Sequence, residues 1–221
     1  SEPPEDLIPQ FALVREATAA LALPAIELAG FEADDLIATY AVAAEDAGLA
    51  TTIVSSDKDL MQLVRGDITM LDPMKQRRIG TPEVVERFGV PPEKVVDVQA
   101  LAGDSTDNVP GVPGIGIKTA AELISTYGDL DTLLARAGEI KQPKRRENLL
   151  KFAEQARISR QLVLLRNDAP MPIDLHALKT PARDRDKLIA FLQQQEFQSL
   201  LVRIGAAGQS GVQADDKDGL G

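Results

Sequence analysis

Acidic side chains recur at three places where an apolar run gives way to a polar one. Glu32, Asp34 and Asp35 stand in GFEADDLIA, Asp57 and Asp59 in IVSSDKDLMQL, and Asp104 and Asp107 in LAGDSTDNVPG. Carboxylates gathered in one crevice repel one another unless cations lie between them. Hard divalent ions suit oxygen ligands, and magnesium keeps several of its waters. Two such ions ~3.5–4 Å apart can clamp the attacking and leaving oxygens of a phosphodiester displacement, so this chemistry needs no histidine base. The chain has no cysteine and a single histidine, His176, so any metal here is held by oxygen and a thiol nucleophile is excluded. Each acid also has an ordinary reading, since Asp and Glu at helix starts cap free N–H groups and suit the helix dipole. Capping explains one acid of a cluster better than it explains three clusters.

A second chemical element is NVPGVPGIGIKTAAELI. It sets Gly111, Gly114 and Gly116, with Pro110 and Pro113, immediately ahead of a helix carrying Lys118 and Thr119. Glycine admits close backbone approach, and free N–H groups at a helix start bind phosphate. A Walker A loop is ruled out by one insertion, GIK standing where GK is required. A plain tight turn between helices is the alternative. Further on, Lys141, Lys144, Arg145, Arg146, Lys151, Arg157 and Arg160 face only Glu147 and Glu154 between residues 141 and 160. That segment is either a phosphate-facing helix or a solvated surface.

These groups need elements to hold them. Apolar spacing predicts an amphipathic helix over 4–22, a strand at 25–29, a helix over 33–47 ending at Gly48, and a β-branched strand at 51–55. A short helix at 57–65, a strand at 67–71 and a helix at 81–88 continue the rhythm. In such an α/β unit a mainly parallel sheet is covered by helices, and the carboxyl ends of its strands line one edge where ligands bind. The first two acidic groups fall at that edge. Beyond Pro91 the pattern is mostly helical, over 93–102, 117–127, 129–136, 144–165 and 184–196, with a last strand expected at Leu200–Ile204.

The 221 residues carry 24 basic and 34 acidic side chains, a net charge of −10, which argues against indiscriminate nucleic-acid binding. The charge is uneven: −12 over residues 1–110, +4 over 111–203 and −2 over 204–221. An acidic half precedes a mildly basic one, and the glycine-rich end reads as a linker. No apolar run approaches the ~20 residues that span a bilayer, so no membrane role is expected and the chain reads as cytoplasmic.

Taken together, GFEADDLIA, SSDKDLMQL, ALAGDSTDNVPGVPGIGIKTA and the later EFQSLL resemble the 5′ nuclease family, flap endonuclease-like proteins that include the exonuclease domain of bacterial DNA polymerases, over nearly residues 1–203. The resemblance implies a PIN-like α/β core over 1–97, a helix-three-turn-helix DNA-binding region over 98–203 and a flexible linker over 204–221. It implies a metal-dependent 5′-to-3′ exonuclease and structure-specific flap endonuclease acting in replication and repair on branched or nicked duplex DNA. Glu32, Asp34 and Asp35 would surround the more tightly held of two magnesium ions, with manganese an alternative metal. Asp57 and Asp59 would form the second acidic group, and Asp104 and Asp107 would serve the second metal. Main-chain carbonyls of Leu101, Ala102, Pro110, Val112 and Ile115 would hold a potassium ion, and Gly114, Gly116, Lys118 and Thr119 would face DNA phosphates.

The family's first two Asp-bearing strands and its helical arch have no counterpart ahead of Ser1. The chain is therefore expected to be either a fragment of a longer protein or an amino-truncated form. A monomer fused to polymerase domains is the expected setting. Two rival readings remain: a catalytically incompetent module that binds DNA structure, and, more distantly, a small-molecule phosphohydrolase.

Overall fold

A computed structural model of the chain describes residues 4–180, 182 and 184–206. Most of the expected linker, residues 207–221, lies outside the described residues. In chain order the elements are α1 (Gln10–Ala20), α2 (Ala33–Asp46), β1 (Thr51–Val54), β2 (Ile68–Asp72), β3 (Arg77–Ile79), α3 (Thr81–Phe88), α4 (Val95–Ala102), α5 (Ile117–Tyr127), α6 (Leu130–Ala135), α7 (Pro143–Lys151), α8 (Ala153–Val163), α9 (Arg185–Gln194) and α10 (Gln198–Arg203). No helix among the described residues is long and apolar enough to cross a membrane. Backbone contacts divide the chain into two compact units: Leu28–Leu175, and the described parts of Ser1–Glu27 and His176–Gly221.

The larger unit is built on a three-stranded sheet in the order β1-β2-β3. β1 pairs parallel to β2 with Ile53 opposite Met70, and β2 pairs antiparallel to β3 with Met70 opposite Ile79. The parallel pair follows from the intervening crossover; the β3 hairpin was not expected, because RRI is too short and too charged to announce a strand. α2 buries Leu36, Ala38, Ala41 and Ala44, of which Ala38 and Ala41 join the core shared with Ile53, Ile68 and Met70 of the sheet. It ends where Gly48 takes a left-handed φ of 70° and Leu49 N–H donates back to the Ala44 carbonyl at 2.8 Å. α3 matches its expected span of 81–88. Glu83 accepts a bond from Gly80 N–H at 2.8 Å at its start, and Gly89, at φ 73°, closes it.

One apolar core runs from the sheet into the helices, through Met70, Val84, Phe88, Val95, Val98, Leu101, Ile124, Leu130, Leu133 and Leu149. The boundary expected between residues 97 and 98 falls inside α4, whose Val95, Val98 and Leu101 all belong to that core. The helix expected over 144–165 is two helices meeting at Phe152, which is at once the C-cap of α7 and the N-cap of α8.

In the smaller unit, Leu188, Leu192, Leu201 and Ala206 form a compact cluster against Ala20 and Leu21. The strand expected at Leu200–Ile204 is helix α10, with Leu201 buried and Val202 exposed. Three apolar residues, Leu200 to Val202, followed by Arg203 and Ile204, carry no period by which helix and strand differ. α1 begins at Gln10 rather than residue 4, and it buries none of its residues, leaving Phe11 and Val14 exposed. The strand expected at 25–29 is absent from the described sheet, because a strand exists through the ladder bonds of a partner and none is offered there.

Candidate metal centre and nucleic-acid interface

All the expected site residues lie in the larger unit, and the acids differ in what they do. Asp35 accepts from Arg166 N–H at 2.9 Å with Oδ1 and from Glu32 N–H at 3.4 Å with Oδ2. It caps α2 and ties the helix start to the segment after α8, and each carboxylate oxygen keeps a lone pair that a cation could use. Asp34, one position earlier, is half-buried and makes no hydrogen bond or ion pair among the described residues. Burial pushes its carboxyl above the usual Asp range, and the charges of Asp57, Glu32, Asp59 and Asp35 push it further.

At the carboxyl end of β1 the chain turns through Ser55, whose Oγ accepts from Asp57 N–H at 3.0 Å. Asp57 in turn accepts from Asp59 N–H at 2.9 Å and starts the 3-10 turn Asp59–Leu63. Asp59 is raised by burial, while the amide of Gln99 and the Lys58 ammonium oppose the shift. Gln99 Nε2 lies 2.5 Å from Asp59 Oδ1. Its Oε1 is buried with no partner, a destabilising arrangement that points to its contact with Asp59 as the reason for an amide there.

The third group is placed by a closed loop after α4. Asp104 and Val109 exchange backbone bonds of 2.8 and 2.7 Å, and Val112 N–H donates to the Leu101 carbonyl at 2.7 Å. The two sides of this loop touch through glycine. Gly103 and Gly111 both have positive φ, and a Cβ on Gly111 would lie 2.7 Å from Ala102 C while one on Gly103 would lie 2.7 Å from the Val109 carbonyl. Gly111 is thus a packing glycine rather than a phosphate-facing one. The loop presents Asp104 to Lys58.

Lys58, which the sequence reading passed over, is the centre of the arrangement. Its ammonium contacts Asp104, lies 3.6 Å from Asp59 Oδ1 and 4.0 Å from Asp107 Oδ2. Burial alone would lower its pKa, but Asp104, Asp59 and Asp107 together raise it. The same contact holds the Asp104 carboxyl below the usual range. Lys58 therefore joins the second acidic group to the third, and Asp34 is coupled by charge to the second. An open polar cleft of about 480 Å³ lies here, lined by Ser55, Ser56, Asp57, Lys58, Arg87, Thr106 and Asp107. Among the described residues no three acidic side chains are set to enclose one ion. The donor chemistry still fits a hard divalent cation: half-buried carboxylate oxygens raise one another's pKa, and a cation already stands among three of them.

The glycine hairpin leads from this loop into α5. Gly116 is the N-cap, extended at φ −95° and ψ 174°, and no side chain caps the helix start. A Cβ on Gly116 would meet nothing within 4 Å. Gly114, Gly116 and Lys118 are exposed and Thr119 is half-buried, so free N–H groups and one ammonium stand open to solvent. Helices α7 and α8 hold the hairpin from behind. Asn148 Nδ2 donates to the Pro113 carbonyl at 2.7 Å, Gln155 Nε2 to the Gly111 carbonyl at 2.6 Å, and Gly111 N–H to Ser159 Oγ at 3.0 Å. None of these three was singled out from sequence. Of the expected potassium carbonyls, those of Leu101 and Val112 accept backbone bonds from Val112 and Ile115. Three of the seven cations of the basic run are ion-paired, Lys144 with Glu147, Arg157 with Glu154 and Asp131, and Arg160 with Asp131, while Lys141, Arg145, Arg146 and Lys151 make no ion pair among the described residues.

Comparison with known proteins identifies the family and the fold. Residues 1–89 match the family described as 5′-3′ exonuclease, N-terminal resolvase-like domain, and residues 90–186 match 5′-3′ exonuclease, C-terminal SAM fold. DNA polymerase I of Rhizobium leguminosarum is 60% identical over 94% of the chain, and the chain spans about 20% of that relative's length. Among solved structures, T5 5′-exonuclease with bound zinc has a TM-score of 0.66 at 22% identity, covering 87% of this chain and 71% of that one. The bacteriophage T5 flap endonuclease in a pseudo-enzyme–product complex with DNA and metal ions has a TM-score of 0.62 at 23% identity, covering 86% of this chain and 66% of that one. At these identities the structural likeness establishes the fold, while the two family matches run without a gap through both the acidic groups and the hairpin. The chain belongs to the 5′-3′ exonuclease family.

Proposed function

We propose that the chain is the metal-dependent 5′-to-3′ exonuclease and 5′-flap endonuclease portion of a DNA polymerase I, hydrolysing phosphodiester bonds of DNA or RNA primers in replication and repair. The observation that carries this reading is the linkage of acids from three separate segments: Asp34 interacts by charge with Asp57 and Asp59, Lys58 joins Asp59 to Asp104 and Asp107, and Asp57 and Asp107 line one cleft in the unit that also carries the open start of α5. Glu32, Asp34 and Asp35 would surround the tighter ion, with Asp57 and Asp59 as the second group and Asp104 and Asp107 serving the second ion. Bound divalent ions, magnesium or manganese, supply charge neutralisation at the phosphate and lower the pKa of water. The protein's own residues orient the substrate: Gly114, Gly116, Lys118 and Thr119 receive backbone phosphates of the duplex, and Gln99 fixes the direction of Asp59. A potassium ion at the Leu101, Ala102, Pro110, Val112 and Ile115 carbonyls would complete the hairpin. The partner is branched or nicked duplex DNA, and the portion acts in the cytoplasm as a monomer fused to polymerase domains; the fusion is supported by the DNA polymerase I relatives, of which the chain spans about a fifth.

A 5′-flap duplex incubated with magnesium should be cut, the cutting should stop with chelator, and Asp104→Ala or Asp34→Asn should lower the rate at least roughly a hundredfold. The alternative, a module that binds branched DNA without cutting it, is favoured by one observation: Lys58 rather than a shared centre sits among Asp59, Asp104 and Asp107. Binding of the flap with no cleavage in magnesium or manganese would decide for it.

A further inference from the structure

Arg87 is a cation whose charge is unmatched among the described residues. It stands in the last turn of α3, exposed, and among the described residues it has no hydrogen bond or ion pair. Its neighbour Glu86 is engaged by Arg77 at 2.5 Å. Arg87 lines the acidic cleft beside Asp57, Lys58 and Asp107. It also lines a separate groove of about 740 Å³ between α3 and α5, whose walls include Lys118 and Thr126 and the single unpaired acid Glu122. Arg87 is the residue common to the two. A polyanion running from the start of α5 toward the carboxylates passes this guanidinium, which can meet a phosphate with two parallel N–H bonds.

We propose that Arg87 is a positioning residue for the substrate: it holds a backbone phosphodiester between the hairpin and the acidic cleft. This rests on the nuclease reading above and adds to it a contact that neither the acids nor the hairpin supplies. Without such a contact the strand would cross the approach to Asp57 and Asp107, both acidic, with no neutralising group facing it except Lys58, whose ammonium is already engaged by carboxylates. The ordinary role for Arg87 is to complement the negative end of the α3 dipole. That role predicts a small loss of stability on substitution and no effect on the counter-ions released by DNA.

The test is binding of a fluorescently labelled 5′-flap duplex to the full chain across a salt series, followed by anisotropy. Arg87→Ala should weaken binding about tenfold at low salt and reduce the slope of log affinity against log salt by roughly 0.9. Arg87→Lys should restore most of the slope, as a purely dipolar or packing role would not require. Equal slopes for wild type and Arg87→Ala, with the wild type binding normally, overturn the inference and leave the nuclease reading intact. A wild-type chain that binds no flap DNA at any salt overturns both.

Discussion

At the scale of single residues the site is defined by opposed pKa shifts. Asp34 holds its proton more tightly in the folded chain than an ordinary Asp, through burial and four neighbouring acids. Such a group favours folding below the ordinary Asp pKa and loses that contribution as the pH rises through its raised folded value. Asp34→Asn, which cannot ionise, should therefore stabilise the metal-free chain at neutral pH by about 0.5–1 kcal/mol while removing activity. Melting curves in chelator at neutral and acidic pH check this, the gain being expected at the first and absent at the second. Asp104 has the reverse sign. The Lys58 ammonium lowers its pKa, so its contribution is present above the ordinary Asp value and lost as the pH falls through the depressed one. Lys58→Met should make the metal-free chain less stable at neutral pH. It should also tighten divalent-ion binding roughly tenfold, because Asp59, Asp104 and Asp107 then have no resident cation. Calorimetric titration with manganese measures that change directly, and weaker binding would contradict the assigned role.

At the scale of elements, glycines that look alike in sequence have different work. Gly103 and Gly111 let two backbone segments touch, which fixes the loop that carries Asp104. Gly111→Ala forces a Cβ into the Ala102–Gly103 backbone at a positive φ and is expected to cost about 2–4 kcal/mol, read as a lowered denaturant midpoint. Gly116→Ala meets open space at an ordinary φ and should leave stability unchanged. Its effect should appear in flap-DNA affinity, since a methyl group there covers the free N–H groups of the α5 start. The identity of α2, α3 and α5 was legible because each carries its own period and stop signals. α10 and β3 were not, since runs of six and three residues leave the choice to what they pack on.

At the scale of the whole chain the two compact units differ in how much they bury. The larger has a continuous core of about thirty buried residues, whereas the smaller gathers four around α9 and α10, and α1 contributes none. Local opening free energy follows buried apolar contact, so amide hydrogens of α1, α9 and α10 should exchange well before those of α4, α5 and α8. Uniform protection across both would refute this. The net charge of −10 also takes its meaning at this scale. Much of the acidic excess lies in the half that bears the Asp34, Asp57 and Asp59 groups, while residues 141–160 keep a basic excess, Lys144, Arg157 and Arg160 being paired with Glu147, Glu154 and Asp131 and the other four cations making no ion pair among the described residues.

Residue types and their order were enough to identify three acidic groups, a phosphate-shaped hairpin and the family they belong to, because oxygen-ligand chemistry and tight glycine turns leave local marks. Tertiary structure decided which partners each acid meets. Asp35 accepts from the amides of Arg166 and Glu32, Asp34 is half-buried with no hydrogen bond or ion pair among the described residues, and Lys58 joins Asp59 to Asp104, 45 positions further along the chain. No local pattern encodes those pairings. Charge interactions fall with distance through space, not along the chain, and only the folded backbone brings these groups within a few ångströms of one another.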